Sequence, residues 1–280
     1  MTKLTTNRYG KHKVRVMKVI RDGEHHEVCE LEAAVLLEGD LEGSYLSDDN
    51  SSIVPTDTVK NTVHVLAHDH LATGRTAFAV KLGEHFLEKH GHLTAVGVEL
   101  RETVWKRMPV DAKPHDHSFV AETNGNRFTK GRFERGKEAV LVAGVRDHLI
   151  MKTTGSGFVD YNECEFTTLP PTTDRILATR MTVEWTLNEC PTADGAVEAK
   201  VLDAAYRIFS STYSPSVQRT LYEIGEAVLN EVPQIAGIEL RMPNVHYLDL
   251  NLSALGRPEQ KSVFLPTNEP HGQIEARLVR

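Results

Sequence analysis

The pentapeptide Gly97-Val98-Glu99-Leu100-Arg101 returns 140 residues downstream as Gly237-Ile238-Glu239-Leu240-Arg241. Upstream of each copy, Leu82-Gly83-Glu84 with Leu87 returns as Ile224-Gly225-Glu226 with Leu229, at an offset of 142. Two echoes in nearly one register predict a chain made of duplicated halves. In the first half the stripe Phe78, Leu82, Phe86 has the period of a helix, and the alternation Val96, Val98, Leu100 that of a strand. The echoed unit is therefore a helix followed by a strand.

Working outward, Val14 and Val16 open a strand that turns at Asp22-Gly23. Its partner alternates Cys29, Leu31, Ala33, Val35 and Leu37 against Glu30 and Glu32, a hairpin with one wet face. Thr56 reads as the N-cap of a helix striped by Val59, Val63, Leu66 and Ala67; Val63 and Val65 also permit a strand, and helix is preferred. A second helix starts near Arg75, and a further strand is expected at His117 to Ala121. The second half repeats the pattern with strands at His148 to Lys152 and Met181 to Leu187. A helix follows through Leu202, Ala205, Tyr206 and Phe209, then another through Val217, Leu221, Ile224 and Val228. Strands at Ile238 to Leu250 and through Ile274, Ala276 and Leu278 close the unit. The Gly-punctuated, charged stretch Asn124 to Lys137 reads as a linker or boundary hairpin, giving repeats 1–136 and 137–280. Two tandem ββααββ units with antiparallel sheets and helices on one face make an α+β fold. Long bare edge strands invite pairing, so a symmetric oligomer joined sheet edge to sheet edge is expected, with sites at the seams.

Composition narrows the function. The 280 residues are 40% apolar and 25% charged, enough to fold, and the net charge of −7 argues against a nucleic-acid or anionic-membrane partner. Cys29, Cys164 and Cys190 are odd in number and widely spaced, which fits neither a disulfide framework nor a C-x-x-C pair. The start MTKLTTNRYGKHK lacks a signal-peptide apolar run, and no segment approaches the ~20 apolar residues of a membrane span, so a cytoplasmic protein is expected. Glycine-rich phosphate cradles and H-E-x-x-H are absent. His115-Asp116-His117 and His68-Asp69-His70, with His64 nearby, offer imidazoles at i, i+2, but no Cys completes either set and a structural reading is preferred.

Among residues able to carry chemistry, Ser214-Pro215-Ser216-Val217-Gln218 reads as an N-cap, a proline at the first helical position, and free N–H groups at Val217 and Gln218. That is an anion seat, or else an ordinary capped helix in water. Asn244 and His246, at i, i+2 on a strand, face one side and can act on one small molecule. The alternative is a wet strand face. Lys11, before the first strand, says little by itself.

These fragments in this order resemble the urate oxidase (uricase) family of the tunnelling-fold group, from about Arg8 to Arg280. The resemblance rests on RYGK (Arg8 to Lys11), TDTVKNTV (Thr56 to Val63), LGEHF and PHDHSF in the first half. In the second it rests on LIMKTTGSGF (Leu149 to Phe158), FTTLPPTTDRILAT (Phe166 to Thr179), SVQRTLYEIG, MPNVHY and VFLPTNEPHGQIEA. It implies tunnelling-fold repeats assembled into an oligomeric barrel, four subunits with shared sites, and oxidation of urate by dioxygen to 5-hydroxyisourate and hydrogen peroxide with no cofactor and no metal. It implies that Arg175 and Gln218 clamp the purine edge, the Val217 N–H holds an anionic oxygen, Phe158 lies on the ring and Leu169 lines the pocket. Lys11, Thr56 and His246 match the proton relay, Asn244 and Thr56 hold dioxygen or water, and Thr56 and Asp57 meet the substrate from the adjoining subunit. Three positions depart from the family pattern: Val245 where Lys is expected, and Glu163 and Cys164 where a basic and an acidic residue are expected. The rival readings are a tunnelling-fold pterin or purine enzyme such as a cyclohydrolase, which needs a zinc set, and a non-catalytic purine-binding protein.

Overall fold

Duplicated halves require the same elements twice. In the computed structural model, which describes residues 2–257 and 261–280, the first set is β1 (Tyr9–Asp22), β2 (His25–Gly39), a short α1 (Glu42–Leu46), α2 (Thr56–His70), α3 (Arg75–Lys89) and β3 (Leu93–Thr103). A hairpin of β4 (Trp105–Val110) and β5 (Lys113–Ala121) follows, then β6 (Asn126–Glu134). The second set is β7 (Val140–Lys152), β8 (Leu177–Leu187), α4 (Asp194–Ser211), α5 (Val217–Glu231) and β9 (Ile235–Arg241). It ends with a hairpin of β10 (Asn244–Asp249) and β11 (Phe264–Gly272), then β12 (Glu275–Val279). Each copy thus reads ββαα, a strand, an inserted hairpin and a final strand. Because β6 pairs with β3 and β12 with β9, both antiparallel, the chain leaves after the third strand and returns to the same edge.

The expected strand near His117 is half of the first inserted hairpin, which forms a two-stranded sheet of its own. The segment read as a linker or boundary hairpin is strand β6 and the turn that follows it, the hairpin alternative and not a linker. Its charged Arg127, Lys130 and Arg132 masked the buried Phe128, Thr129 and Phe133. The strand expected at Ile238 to Leu250 is two strands, interrupted at Met242-Pro243, where proline has no N–H for the ladder. Tyr206, expected in the apolar stripe of α4, is 41% exposed and hydrogen-bonds the His148 ring with its hydroxyl.

By compactness the chain divides into Met1–Val145 with Trp185–Val197, and Arg146–Glu184 with Glu198–Arg280. In the first unit, β2 lies between β1 and β3, in the register Ala33 opposite Leu100, Val35 opposite Val98 and Leu37 opposite Val96. These side chains are buried, as are Val59 and Val63 of α2 and Phe78, Leu82 and Phe86 of α3. Each Val, Leu and Phe among them contributes roughly 1.5–3 kcal/mol on burial. In the second unit, β8 pairs with β10, β10 with β11, and β9 with β12. The predicted α5 stripe of Val217, Leu221, Ile224 and Val228 is buried, along with Ile238 and Leu240 of β9.

The echoed Leu-Gly-Glu has a packing reason. A Cβ on Gly83 of α3 would stand 2.1 Å from the ring of Phe133 in β6, and one on Gly225 of α5 would stand 2.9 Å from Leu278 in β12. Both glycines let the second helix settle on the last strand of its own copy. A further echo is visible only in three dimensions. The Arg135 guanidinium donates to the carbonyls of Leu87, His90 and Leu93, and the Arg280 guanidinium to those of Leu229, Val232 and Ile235. Each arginine satisfies carbonyls at the C-terminal end of a helix and fixes the turn into the next strand. No helix among the described residues is long and apolar enough to cross a membrane, and all three cysteines are unpaired.

Candidate active site

Helix α5 starts two residues later than the sequence reading put it. Ser216, not Ser214, is the N-cap: its backbone is extended and its Oγ accepts the Arg219 N–H at 3.1 Å. Ser214 is buried instead, donating to the Ser216 carbonyl and accepting from the Thr220 hydroxyl at 2.6 Å. Pro215 therefore precedes the cap. With Ser216 serving Arg219, the N–H groups of Val217 and Gln218 head the helix with no carbonyl one turn earlier to take them. They border a cavity of about 200 Å³ lined by Phe158, Leu169, Arg175, Val217, Gln218, Asn244, His246 and Ile274. Seven of these eight are residues singled out from the sequence, brought together from four separate segments of the second unit.

Arg175 is held from its backbone, where its N–H donates to the Ser156 carbonyl at 2.8 Å. Its Nε is buried without a partner, and its guanidinium carbon stands 5.5 Å from the centre of the Phe158 ring. Burial pulls the Arg175 pKa below the ordinary value, partly opposed by Tyr213, yet a guanidinium keeps its charge at any physiological pH. The cavity thus presents a cation with unused donors beside a helix N-terminus and an aromatic face, a combination suited to a flat anion with carbonyl and ring-nitrogen groups along its edge.

Tyr161 was missed by sequence reasoning. Its ring stacks on Phe158 at 4.9 Å and 16°, while its hydroxyl donates to the Leu169 carbonyl, so one side chain braces two lining residues. Phe158 is also pinned by paired backbone hydrogen bonds with Thr172, at 2.7 and 3.0 Å. Ile274 was missed as well, although it lay in the strand alternation. Nothing local marks Tyr161.

Asn244 lies opposite Thr179 on β8 and Gly272 on β11, while His246 lies opposite Thr267. The ladder is irregular between them, with β11 spending five residues where β10 spends two. Both side chains nevertheless line the cavity, as the i, i+2 spacing predicts. An adjoining cavity of about 330 Å³ shares Arg175, Asn244 and His246 and adds Asp174, Asp249 and Lys261. It is the larger of the two, and Tyr247 and Phe264 line it, but it lacks Phe158 and the helix start at Val217 and Gln218.

Lys11, Thr56 and Asp57 belong to the first unit. The pairing of β1 with β2 shifts between Lys11 and Val14, and Lys13 takes a left-handed φ of 57°, so the strand bulges where Lys11 leaves it. One residue earlier than Gly10, the Tyr9 hydroxyl accepts the Val54 N–H at 2.6 Å, tying β1 to the approach of α2. Thr56 is the first helical residue and not the cap. Pro55 (φ −52°, ψ 136°) delivers the chain, and no side-chain capping bond is made. The Asp57 carboxylate accepts from Lys60 at 2.5 Å and Asn61 at 3.0 Å. The Lys60 hydrogen bond is the main cause of its lowered pKa, to which the charge of Lys11 also contributes, so Lys11 and Asp57 share one electrostatic neighbourhood.

The histidine pairs are otherwise engaged. His115 and His117 meet edge to face at 4.6 Å, with His26 at 5.7 Å from His117, and His68 bonds Asp69. Among the described residues no group of three or more His, Cys, Asp or Glu side chains is arranged to hold a metal. Of the departures, Val245 is buried opposite Ala178, so an apolar side chain suits it and no surface charge is at stake. Cys164 closes a tight turn with Thr167, each N–H reaching the other residue at 2.9 Å, and this turn orders the loop locally.

Comparison with known proteins bears directly on this geometry. The uricase family profile matches residues 7–131 and 141–275. A uricase of Cyberlindnera jadinii is 37% identical over 295 residues, covering all of this chain and 97% of that protein. A uricase of Dictyostelium discoideum is 38% identical over 283 residues, covering all of this chain and 98% of that protein. The crystal structure of uricase from Arthrobacter globiformis superposes with a TM-score of 0.94 at 35% identity, covering all of this chain and 96% of that one. The duplicated sequence, the two antiparallel helix-backed copies and these full-length matches agree: the chain belongs to the uricase family.

Proposed function

We propose that this protein oxidises urate with dioxygen to 5-hydroxyisourate and hydrogen peroxide, using no metal or flavin, at sites each completed by two copies of the chain. Membership of the uricase family makes it an oxidoreductase acting on urate. The observation that carries the reading is the single cavity that gathers Phe158, Leu169, Arg175, Val217, Gln218, Asn244 and His246.

Urate is a planar monoanion near neutral pH. Arg175 binds one edge with its rigid fork, the Gln218 amide pairs alongside it, the Val217 N–H takes an anionic oxygen, and Phe158 covers the ring. Buried donors of this kind reject purines lacking the matching groups by up to ~10⁴-fold, because the donors would be left unpaired. The overall step balances as urate plus dioxygen plus water giving 5-hydroxyisourate plus hydrogen peroxide. The purine gives up two electrons, dioxygen takes them with two protons, and a hydroxyl from water is added to the ring. Electrons leave most readily from the doubly deprotonated purine, so a base beside the ring is needed. Lys11, in its neutral amine form, accepts the proton of the Thr56 hydroxyl, Thr56 acts through an ordered water, and His246 extends the relay. Asn244 holds dioxygen, and then the attacking water, over the ring.

Lys11, Thr56 and Asp57 serve the cavity of an adjoining copy, in an oligomer of four chains whose repeats are 1–136 and 137–280; the setting is cytoplasmic. Leu169 is 54% exposed in one chain although it lines the cavity, which favours completion by a second copy. The test is to follow urate absorbance, oxygen consumption and peroxide release together on protein treated with a chelator and free of flavin absorbance. Equimolar consumption and release support the proposal, and loss of urate without peroxide refutes it.

A further inference from the structure

Beside Asn244 lies a hydroxyl that this scheme leaves unused. Thr179 of β8 sits directly opposite Asn244 of β10, so both side chains leave the sheet on one face, with Cβ atoms ~4.5–5.5 Å apart. That face of β8 also carries Leu177 and Met181, and all three side chains have no solvent exposure. The Thr179 Oγ1 has no hydrogen-bond partner. A buried hydroxyl left unpaired lowers stability, and valine would fill the same space without that cost. Packing alone therefore gives threonine no advantage here. The polar side chain directly across is the Asn244 carboxamide, whose two ends differ: an oxygen that accepts and an NH2 that donates. Which end faces the cavity decides whether Asn244 offers it donors.

We propose that Thr179 is a positioning residue for urate oxidation. When the cavity is filled, its hydroxyl donates to the Asn244 carboxamide oxygen, directly or through one water, and turns the NH2 toward the dioxygen position. This rests on the reading of the cavity as a urate oxidase site. The test compares Thr179→Val and Thr179→Ser in the full-length protein. Thr179→Val should raise the KM for oxygen at saturating urate roughly five- to tenfold, the scale of one lost hydrogen bond. It should leave xanthine affinity within about twofold and the melting temperature equal or higher, and Thr179→Ser should restore the oxygen KM. An unchanged oxygen KM in Thr179→Val overturns the proposal. So does a serine variant no better than the valine one, or a joint loss of melting temperature and xanthine binding, which marks a purely structural role. If the wild-type protein consumes no urate, the functional reading fails and a xanthine-soaked crystal structure decides the positioning role. A Thr179 Oγ1 bonded to Asn244, or to a water shared with it, sustains the role; an empty cavity or a hydroxyl bonded elsewhere ends it.

Discussion

Replacing Arg175 by methionine separates binding from folding more cleanly than any other single change. The guanidinium borders the cavity with a buried, unpartnered Nε and stands 5.5 Å from the centre of the Phe158 ring. Methionine keeps the apolar stem and removes the fork. With two charge-assisted hydrogen bonds to the purine edge at about 1.5–3 kcal/mol each, the lost transition-state binding is ~3–6 kcal/mol, or roughly 10²- to 10⁴-fold in kcat/KM. Without substrate, the variant gives up a cation–π contact of about 0.5–1 kcal/mol and escapes the desolvation of an unpaired charge. Its melting temperature should therefore stay within ~3 °C of wild type or rise. The assay is initial-rate loss of urate absorbance across substrate concentrations, with thermal unfolding in the presence and absence of xanthine. The xanthine-induced stabilisation should vanish with the activity. A kcat/KM within tenfold of wild type refutes the clamp, and a fall of more than ~8 °C without ligand shows that Arg175 is a folding element.

Lys11→Met should lower kcat by about 10²- to 10⁴-fold while changing KM little, because a relay group acts on the chemical step; steady-state kinetics check this, and an unchanged kcat removes Lys11 from the relay. Gly83→Ala should cost ~1–3 kcal/mol in denaturant unfolding, since the new Cβ meets the Phe133 ring at 2.1 Å. Gly225→Ala should cost less, because the ends of the Leu278 side chain at 2.9 Å can yield. Burial raises the Glu122 pKa, but the hydrogen bond from Lys106 at 2.6 Å and the ion pair with Arg127 at 2.8 Å outweigh it, leaving the group more acidic than usual. Its contribution to stability is then present above the ordinary glutamate pKa of ~4.3 and fades as pH falls below it, so Glu122→Gln should flatten the decline in melting temperature between about pH 5 and pH 3.

The fold was legible where period and burial agreed. The β1–β2 hairpin, the stripes of α3 and α5, and the duplication were all open to reading, because Gly83 and Gly225 meet the same packing demand. Strand β6 was hidden because Lys130, Gly131 and Arg132 separate the adjacent buried pair Phe128-Thr129 from Phe133, and each inserted hairpin was legible in one strand only, near His117 and within Ile238 to Leu250, because the partner strand carries little apolar pattern. The Arg135 and Arg280 clamps recur as single residues whose partners are main-chain carbonyls, which composition cannot mark. The site was legible from physics only in fragments: the N–H groups at Val217 and Gln218, and the shared face of Asn244 and His246. Phe158, Leu169 and Arg175 come from a loop with no periodicity, and their roles followed from family resemblance. Ser216 displaced Ser214 as the cap because the extended backbone falls at Ser216, a choice that two serines around a proline leave open.

The central claim is that one copy grips the purine with Arg175 while another supplies Lys11. Co-expressing the Lys11→Met and Arg175→Met chains under two different affinity tags, and purifying the mixed oligomer through both, tests it directly. Sites shared between copies should regain activity on the order of a quarter of wild type, as randomly mixed chains reunite an intact Lys11 with an intact Arg175. Activity that stays at the level of the separate variants would contradict the account.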